Sequence, residues 1–373
     1  MKIGIITLHK VPNYGSALQA YALQYYLRKN TNYDVQLIDY IYPNKFHFKQ
    51  ESILQKAKRT LRKILNSFDN HQIQKRKRFQ LFYSKYFHLS TKQYRSIQQI
   101  YTDPPIYDIY ITGSDQVWNI KTLHSDPVMY CTFAPPEKKK IAFSASFTLP
   151  SLPAQYRNII RNRLSEYSFI GVREFSGLNI LKELDLPPTI VQKCTCDPTL
   201  LLQANEYDEL AKDSAINIKD NYILIYALGY AFIPEPAMSS IIRIAIRHYK
   251  CKTVFLGDCH IEYKCDYTIH NNIGPCEFIY LIKNAKHVIT SSFHGTMFSL
   301  IYRKNFTSIL PNKQQKDNRI QDILTILGLQ QYGIQNDNEQ PNIIFKSPFT
   351  QEIINKLNSY INESKEALNS ALF

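Results

Sequence analysis

The stretch Lys2-Ile3-Gly4-Ile5-Ile6-Thr7, the turn-like His9-Lys10-Val11-Pro12-Asn13-Tyr14-Gly15-Ser16 and the apolar-periodic run Ser16–Lys29 read as strand, turn and helix. A second β-branched run, Val35–Tyr40, follows. Strand, helix, strand implies a parallel pair joined by a crossover. The alternation recurs. Tyr107–Thr112, Lys140–Ser146 and Phe169–Arg173 are further strand candidates, and Tyr222–Leu228, Thr253–Gly257 and His287–Thr290 begin a second series. Gly295–Tyr302 reads as a helix directly after the last of these. The pattern breaks near Leu200–Asn221, where polar helical sequence intervenes. The expected fold is α/β, with two Rossmann-like domains, residues 1–205 and 206–373, facing across a cleft. The helical pattern Gln351–Leu372 is available to pack back across the boundary.

Composition is that of a folded chain: of 373 residues 44% are hydrophobic and 20% charged, which excludes wholesale disorder. No stretch approaches the roughly 18 apolar residues of a membrane span. The apolar run Ile3–Leu8 is broken by Gly4 and Thr7 and met at once by His9 and Lys10, so it does not read as a signal peptide and a cytoplasmic protein is expected. The cysteines, 7 in number and scattered, argue against a disulfide framework. Cys194-x-Cys196 and the scatter Cys251, Cys259, His260, Cys265 and Cys276 lack the paired spacing of structural zinc sites, so no metal is expected. The net charge of +14 is concentrated between Lys45 and Lys85, where only Glu51 and Asp69 oppose a dense set of Lys and Arg. Ile53, Leu54, Ala57, Leu61, Ile64 and Leu65 recur there at helical spacing. The segment reads as a basic helical insertion, either a solvated face or a surface for anionic lipid or a phosphorylated substrate. There is no nucleic-acid module, and nucleic acid is not an expected partner.

Ligands of open α/β sheets sit beyond the carboxyl ends of strands. After the first strand, Asn13 or Ser16 can cap the helix and Gly15 lets a ligand approach the backbone. The alternative is a plain capped helix start. Gly113-Ser114-Asp115-Gln116-Val117-Trp118-Asn119 follows another strand. Asp115 there is a candidate base or hydroxyl acceptor on a substrate rim, against the alternative of an Asx turn with an anchoring Trp118. Arg173 ends a strand, suited to a carboxylate or phosphate or to an ion pair with Glu174 or a neighbour. Asp197-Pro198 reads as a turn. In Ser291-Ser292-Phe293-His294-Gly295-Thr296, a histidine lies at a strand-to-helix turn beside helix N–H groups, where an anion can be held and protonated at one place.

Asn13–Gln24, Gly113–Asn119, Val172-Arg173-Glu174, Asp197-Pro198-Thr199-Leu200, Ser291–Thr296 and Asp317-Asn318-Arg319-Ile320 with Leu327-Gly328-Leu329, in that order, resemble the polysaccharide pyruvyl transferase family. The resemblance implies a fold similar to GT-B glycosyltransferases. It implies transfer of the pyruvyl group of phosphoenolpyruvate, a co-substrate rather than a cofactor, onto two hydroxyls of a sugar as a cyclic ketal. By that resemblance Arg173 and His294 lie in the donor pocket, and Ser292, Gly295, Asn13, Gly15 and Arg319 are further candidates to bind the donor. Tyr14, Asp115, Gln116 and Trp118 are assigned to the acceptor, and His294, Asp115 and His9 are the acid–base candidates. Family members commonly carry Arg where this chain has Ser292, and Lys10, Arg303 or Arg319 are the candidates to replace it. The implied acceptor is a hexose such as galactose, ketalated at positions 4 and 6, in a lipid-diphosphate-linked saccharide at the inner membrane face. The competing readings are a nucleotide-sugar glycosyltransferase of the same fold and a non-catalytic saccharide- or anion-binding protein.

Overall fold

The structure is a computed structural model that describes residues 1–42, 69–229, 232–270, 272–312 and 319–373. The chain divides into two units. The first comprises Met1–Phe68, Tyr83–Leu201 and Tyr360–Phe373, the second Asp69–Phe82 and Leu202–Ser359. The division thus falls at Leu201/Leu202 rather than at 205/206, and one segment departs from the expected assignment. Asp69–Phe82, expected in an N-terminal insertion, packs with the second unit, because Arg78 and Gln74 of the helix Asn70–Tyr86 pair with Glu277 and Asn272. The end of the helix Gln351–Leu372 packs on the first unit, where Ser364 accepts the Cys196 N–H and Lys139 donates to the carbonyls of Ala371 and Leu372. The basic helix expected around Ile53–Leu65 lies outside the described residues, as do Asp317 and Asn318.

The first unit holds a six-stranded parallel sheet. Its strands are β1 (Lys2–Ile6), β2 (Asp34–Leu37), β3 (Ile109–Thr112), β4 (Lys139–Ala145), β5 (Phe169–Val172) and β6 (Val191–Cys194), in the order β2-β1-β3-β4-β5-β6. Strands β3 and β5 are buried at every position. Burial on both faces is why parallel strands read as unbroken apolar runs. The second unit repeats the scheme with β7 (Tyr222–Ala227), β8 (Lys252–Gly257), β9 (Tyr267–Ile269), β10 (His287–Thr290), β11 (Asn305–Leu310) and β12 (Gly333–Gln335), ordered β12-β11-β10-β7-β8-β9 and again parallel throughout. Among the described residues no helix is long and apolar enough to cross a membrane.

Strand order locates the sites. From β1 the chain crosses to β2 on one side, then returns to β3 on the other; from β7 it runs out through β8 and β9, then returns to β10. Each sheet therefore has a topological switch point, between β1 and β3 and between β7 and β10, where diverging crossovers open a crevice at the strand ends.

Strand β10 also carries a charge-sensitive core group. The His287 ring is fully buried and bonded to the Thr307 and Tyr249 hydroxyls. Burial, followed by the neighbouring His248, pushes its pKa down to about 3. The unfolded chain binds this proton near pH 6.5. The stabilisation is therefore complete above that pH and is lost as pH falls toward 3, by up to about 1.4 kcal/mol per pH unit. Urea denaturation between pH 7 and 4.5 should show this slope, flattened in His287→Gln. An identical slope in the variant contradicts the assignment.

Candidate active site

In the first unit, the helix Tyr14–Asn30 starts at the switch point because Asn13, in extended conformation, accepts the Ser16 N–H at 3.2 Å. Tyr14 and Gly15 are buried in its first turn. Ser16 Oγ donates to Asp115 Oδ2 at 2.5 Å, linking the ends of β1 and β3. Asp115 has φ +75°, a left-handed conformation that costs a non-glycine residue about 1–3 kcal/mol. The surrounding bonds hold it there. The Asp115 carbonyl accepts the N–H groups of Ser146 and Val117, and its Oδ1 accepts the Gln116 N–H. The β4–β5 register shifts between Ala142 and Ala145, and Ser144 within that shift also has positive φ.

Arg173, at the end of β5, points into the same cluster with its side chain 1% exposed. Its Nη1 donates to Asp197 Oδ2 at 2.9 Å and to Ser114 Oγ at 3.4 Å, and its Nη2 lies 3.8 Å from Asp115 Oδ1. Glu174 turns elsewhere: its Oε1 accepts from the Ser146 hydroxyl and from the N–H groups of Phe147 and Thr148. The ion pair open on sequence is thus with Asp197, not Glu174. Asp197 makes its turn as well, accepting the Thr199 N–H and hydroxyl at Oδ1. Sequence reasoning took Asp197 for a turn only. The missing signal was β6, whose pairing with β5 brings Asp197 beside Arg173.

His9 and Lys10 do not join this cluster. Both address Asp39, with His9 Nε2 at 3.4 Å from Oδ1 and Lys10 Nζ donating to Oδ2 at 2.7 Å. Burial raises the Asp39 pKa, but the hydrogen bonds from His9, Lys10 and Gln93 outweigh it and bring the value down to about 2. Gln116 accepts from Asn119, which caps the short helix Ile120–Leu123. The expectation of Trp118 on a substrate rim does not hold. Its ring has no exposure, stacks on Tyr130 at 5.5 Å, and donates Nε1–H to the Met129 carbonyl. It anchors the turn that presents Asp115.

In the second unit, the helix Phe293–Ile301 starts at the β7/β10 switch point. Ser292 caps it, accepting the Gly295 N–H. Thr290 Oγ1 donates to the Tyr226 carbonyl and accepts the Ser292 N–H, while Ser291 Oγ accepts the Leu228 N–H. Glycine is required at 295, because a Cβ there would lie 2.3 Å from Thr290 Oγ1 and 3.0 Å from the Tyr226 ring. His294 is buried in the first turn, edge-on to Phe293 at 5.2 Å. The Arg319 guanidinium lies over the Phe293 ring, 5.7 Å from its centroid. Arg303 is exposed in the turn that enters the amino end of β11, the opposite end of the sheet from His294. Within the second unit, these contacts place Arg319 beside the His294 turn and Arg303 at the other end of the sheet. Among the described residues no three His, Cys, Asp or Glu side chains group as metal ligands, and no cysteine is disulfide-bonded.

Two parallel sheets of this connectivity, each with a polar cluster at its switch point, make a two-domain α/β fold of the GT-B class. The profile of the polysaccharide pyruvyl transferase family matches residues 13–312, and the chain belongs to that family. Two solved structures of UDP-GlcNAc 2-epimerase from Methanocaldococcus jannaschii, one with UDP-GlcNAc and UDP bound, are similar at TM-score 0.50. They are 15% and 14% identical, with 97% of this chain and 93% of each of theirs covered. At that identity the likeness is one of fold. No curated protein sequence matches the chain.

Removing one partner of a buried ion pair leaves the other charge uncompensated. Asp197→Asn should therefore destabilise the chain by about 3 kcal/mol, read from the urea midpoint at neutral pH. A loss below about 1 kcal/mol, the range of an exposed pair, contradicts the buried pairing.

Proposed function

We propose that the protein transfers the pyruvyl group of phosphoenolpyruvate onto two hydroxyls of a hexose, closing a cyclic ketal. The observation that carries this reading, beside family membership, is an anion-suited group near an acid–base group at each switch point: Arg173 beside Asp115, and Arg319 and His294 each against the Phe293 ring.

Phosphoenolpyruvate brings a carboxylate and a phosphate. Arg173 and the helix N-terminus at Asn13–Ser16 in the first unit, and Arg319 and the helix N-terminus at Ser292–Gly295 in the second, each offer cationic and N–H groups of the kind that bind such anions. His294 delivers a proton to C3 of the enol phosphate, and C2 becomes electrophilic. One sugar hydroxyl attacks C2 as Asp115 takes its proton. The bond from C2 to the phosphate oxygen then breaks, inorganic phosphate leaves, and the neighbouring hydroxyl adds to C2 with loss of its proton. Asp115 is favoured over His9 as the base because His9 is committed to Asp39. Its hydrogen bond from Ser16 and its proximity to Arg173 keep it oriented. The chemistry calls for no metal or redox cofactor. A galactose unit ketalated at positions 4 and 6, carried on a lipid diphosphate at the inner membrane face, is the proposed acceptor. Arg76, Lys77 and Lys85 on the helix Asn70–Tyr86 are exposed and suited to an anionic surface.

A thermal-shift titration tests the donor assignment. Phosphoenolpyruvate should raise the melting temperature, UDP- and GDP-sugars should not, and the shift should vanish in Arg173→Lys and His294→Ala. A shift with nucleotide sugars alone overturns the reading in favour of glycosyl transfer. With a functional acceptor, His294→Ala should lower phosphate release by about 10²–10⁴-fold if it is the general acid. Wild-type turnover in that variant removes it from the role.

A further inference from the structure

A cavity of mixed polar and apolar lining lies within the second unit, beyond the carboxyl end of the edge strand β9, with a volume of about 650 Å³. The helix Asn70–Tyr86 brings Gln74, Lys77 and Arg78 to it, and the turn after β9 brings His270 and Asn272. These parts are fixed to one another. Asn272 donates to Gln74 Oε1 at 3.0 Å, and the His270 ring packs on His71 of the same helix at 4.9 Å. Gly274 lets the helix come close, since a Cβ there would lie 2.9 Å from Arg78 Cβ.

Glu277 also lines the cavity and would repel an anion if its charge were open. It is not open. The residue is buried, its Oε2 accepts the Gly274 N–H at 2.9 Å, and its Oε1 faces Arg78 Nη1 and the Ala215 N–H at 3.4 Å each. Lys77 and Arg78 are consecutive on a helix, so they diverge by about 100° around its axis. With His270 on the facing turn they offer donors from separate directions, which suits an anion with several separated oxygens better than a single carboxylate. The remaining wall is apolar. Ile216 and Ile273 line it, and Leu81, one turn along from Lys77, stands 61% exposed at its border.

We infer that this cavity is a binding site for a diphosphate ester, with Lys77, Arg78 and His270 on the phosphate oxygens and Leu81, Ile216 and Ile273 against the apolar group it carries. Only the carrier of the diphosphate, a lipid-linked saccharide, rests on the acceptor proposed above; the site itself stands on the cavity.

The test is calorimetric titration of the full chain with inorganic pyrophosphate, without phosphoenolpyruvate. Lys77→Ala and His270→Ala should each weaken binding by about tenfold, the scale of one charge-assisted hydrogen bond. Lys77 is exposed, so its removal should leave the fold intact, and Lys77→Arg should restore binding. Lys212→Ala, at an exposed lysine of the second unit outside the cavity, should bind as the wild type does. Arg173→Lys should keep pyrophosphate binding while losing phosphoenolpyruvate, so the two assignments fail separately. Absence of pyrophosphate binding, indifference to both cavity variants, or loss in Arg173→Lys overturns the proposal. In a second arm, neutral phosphatidylcholine vesicles carrying polyprenyl diphosphate are compared with vesicles of equal charge carrying phosphatidylglycerol. Preference for the diphosphate, lost in Lys77→Ala, supports the site. Equal retention on both overturns it in favour of general attraction to anionic headgroups.

Discussion

A parallel strand cannot hydrogen-bond to its successor without a crossover, and in both sheets the crossovers run first to one side and then to the other. That reversal leaves a gap between β1 and β3 and another between β7 and β10, and everything chemical described above lies at or near a strand end. The helices that begin there present N–H groups, and Asn13 and Ser292 each hold one of these with a side-chain cap. The two units solve the same geometric problem with different residues. The first places a guanidinium among carboxylates, while the second places an imidazole in a helix turn beside an aromatic ring and an arginine.

The cluster around Arg173 shows what holding charge in a buried place demands. A guanidinium removed from water needs compensation, and Asp197 supplies the short contact while Asp115 stands further off. Asp115 in turn sits in a backbone conformation that the free chain avoids, held by β4 and its irregular register with β5. Trp118, the largest side chain of the turn, contributes by being wholly buried: its stacking on Tyr130 fixes the loop from which Asp115 projects. A residue that a sequence reading assigns to the substrate thus serves by positioning the residue beside it.

Much of the fold is legible because strands buried on both faces have little freedom of composition. His287–Thr290 is recovered residue for residue, and Lys2–Ile6 and Phe169–Val172 to within one. The strands that escape notice are β6, β9, β11 and β12. Strands β6 and β9 are edges that alternate or expose their side chains, β12 is an edge of three residues, and β11 opens with polar Asn305. Such strands owe their state to the neighbour they pair with rather than to their own pattern. The site follows the same division. Arg173, Asp115 and His294 are visible because each follows a readable strand, whereas Asp197 follows β6 and reads as a turn.

The sequence by itself determined the α/β class, the two series of strands, the motifs that mark family membership and the residues at the strand ends, because periodicity and turn chemistry act over a few neighbouring positions. Only the tertiary structure decided which charges meet. It gave Arg173 to Asp197, drew His9 and Lys10 away to Asp39, set Arg319 against Phe293, and carried the Asn70–Tyr86 helix to the cavity beyond β9. Electrostatic and hydrogen-bonded contacts are made between atoms a few ångströms apart. Residues far apart in the chain come that close only when the sheets and their crossovers have formed.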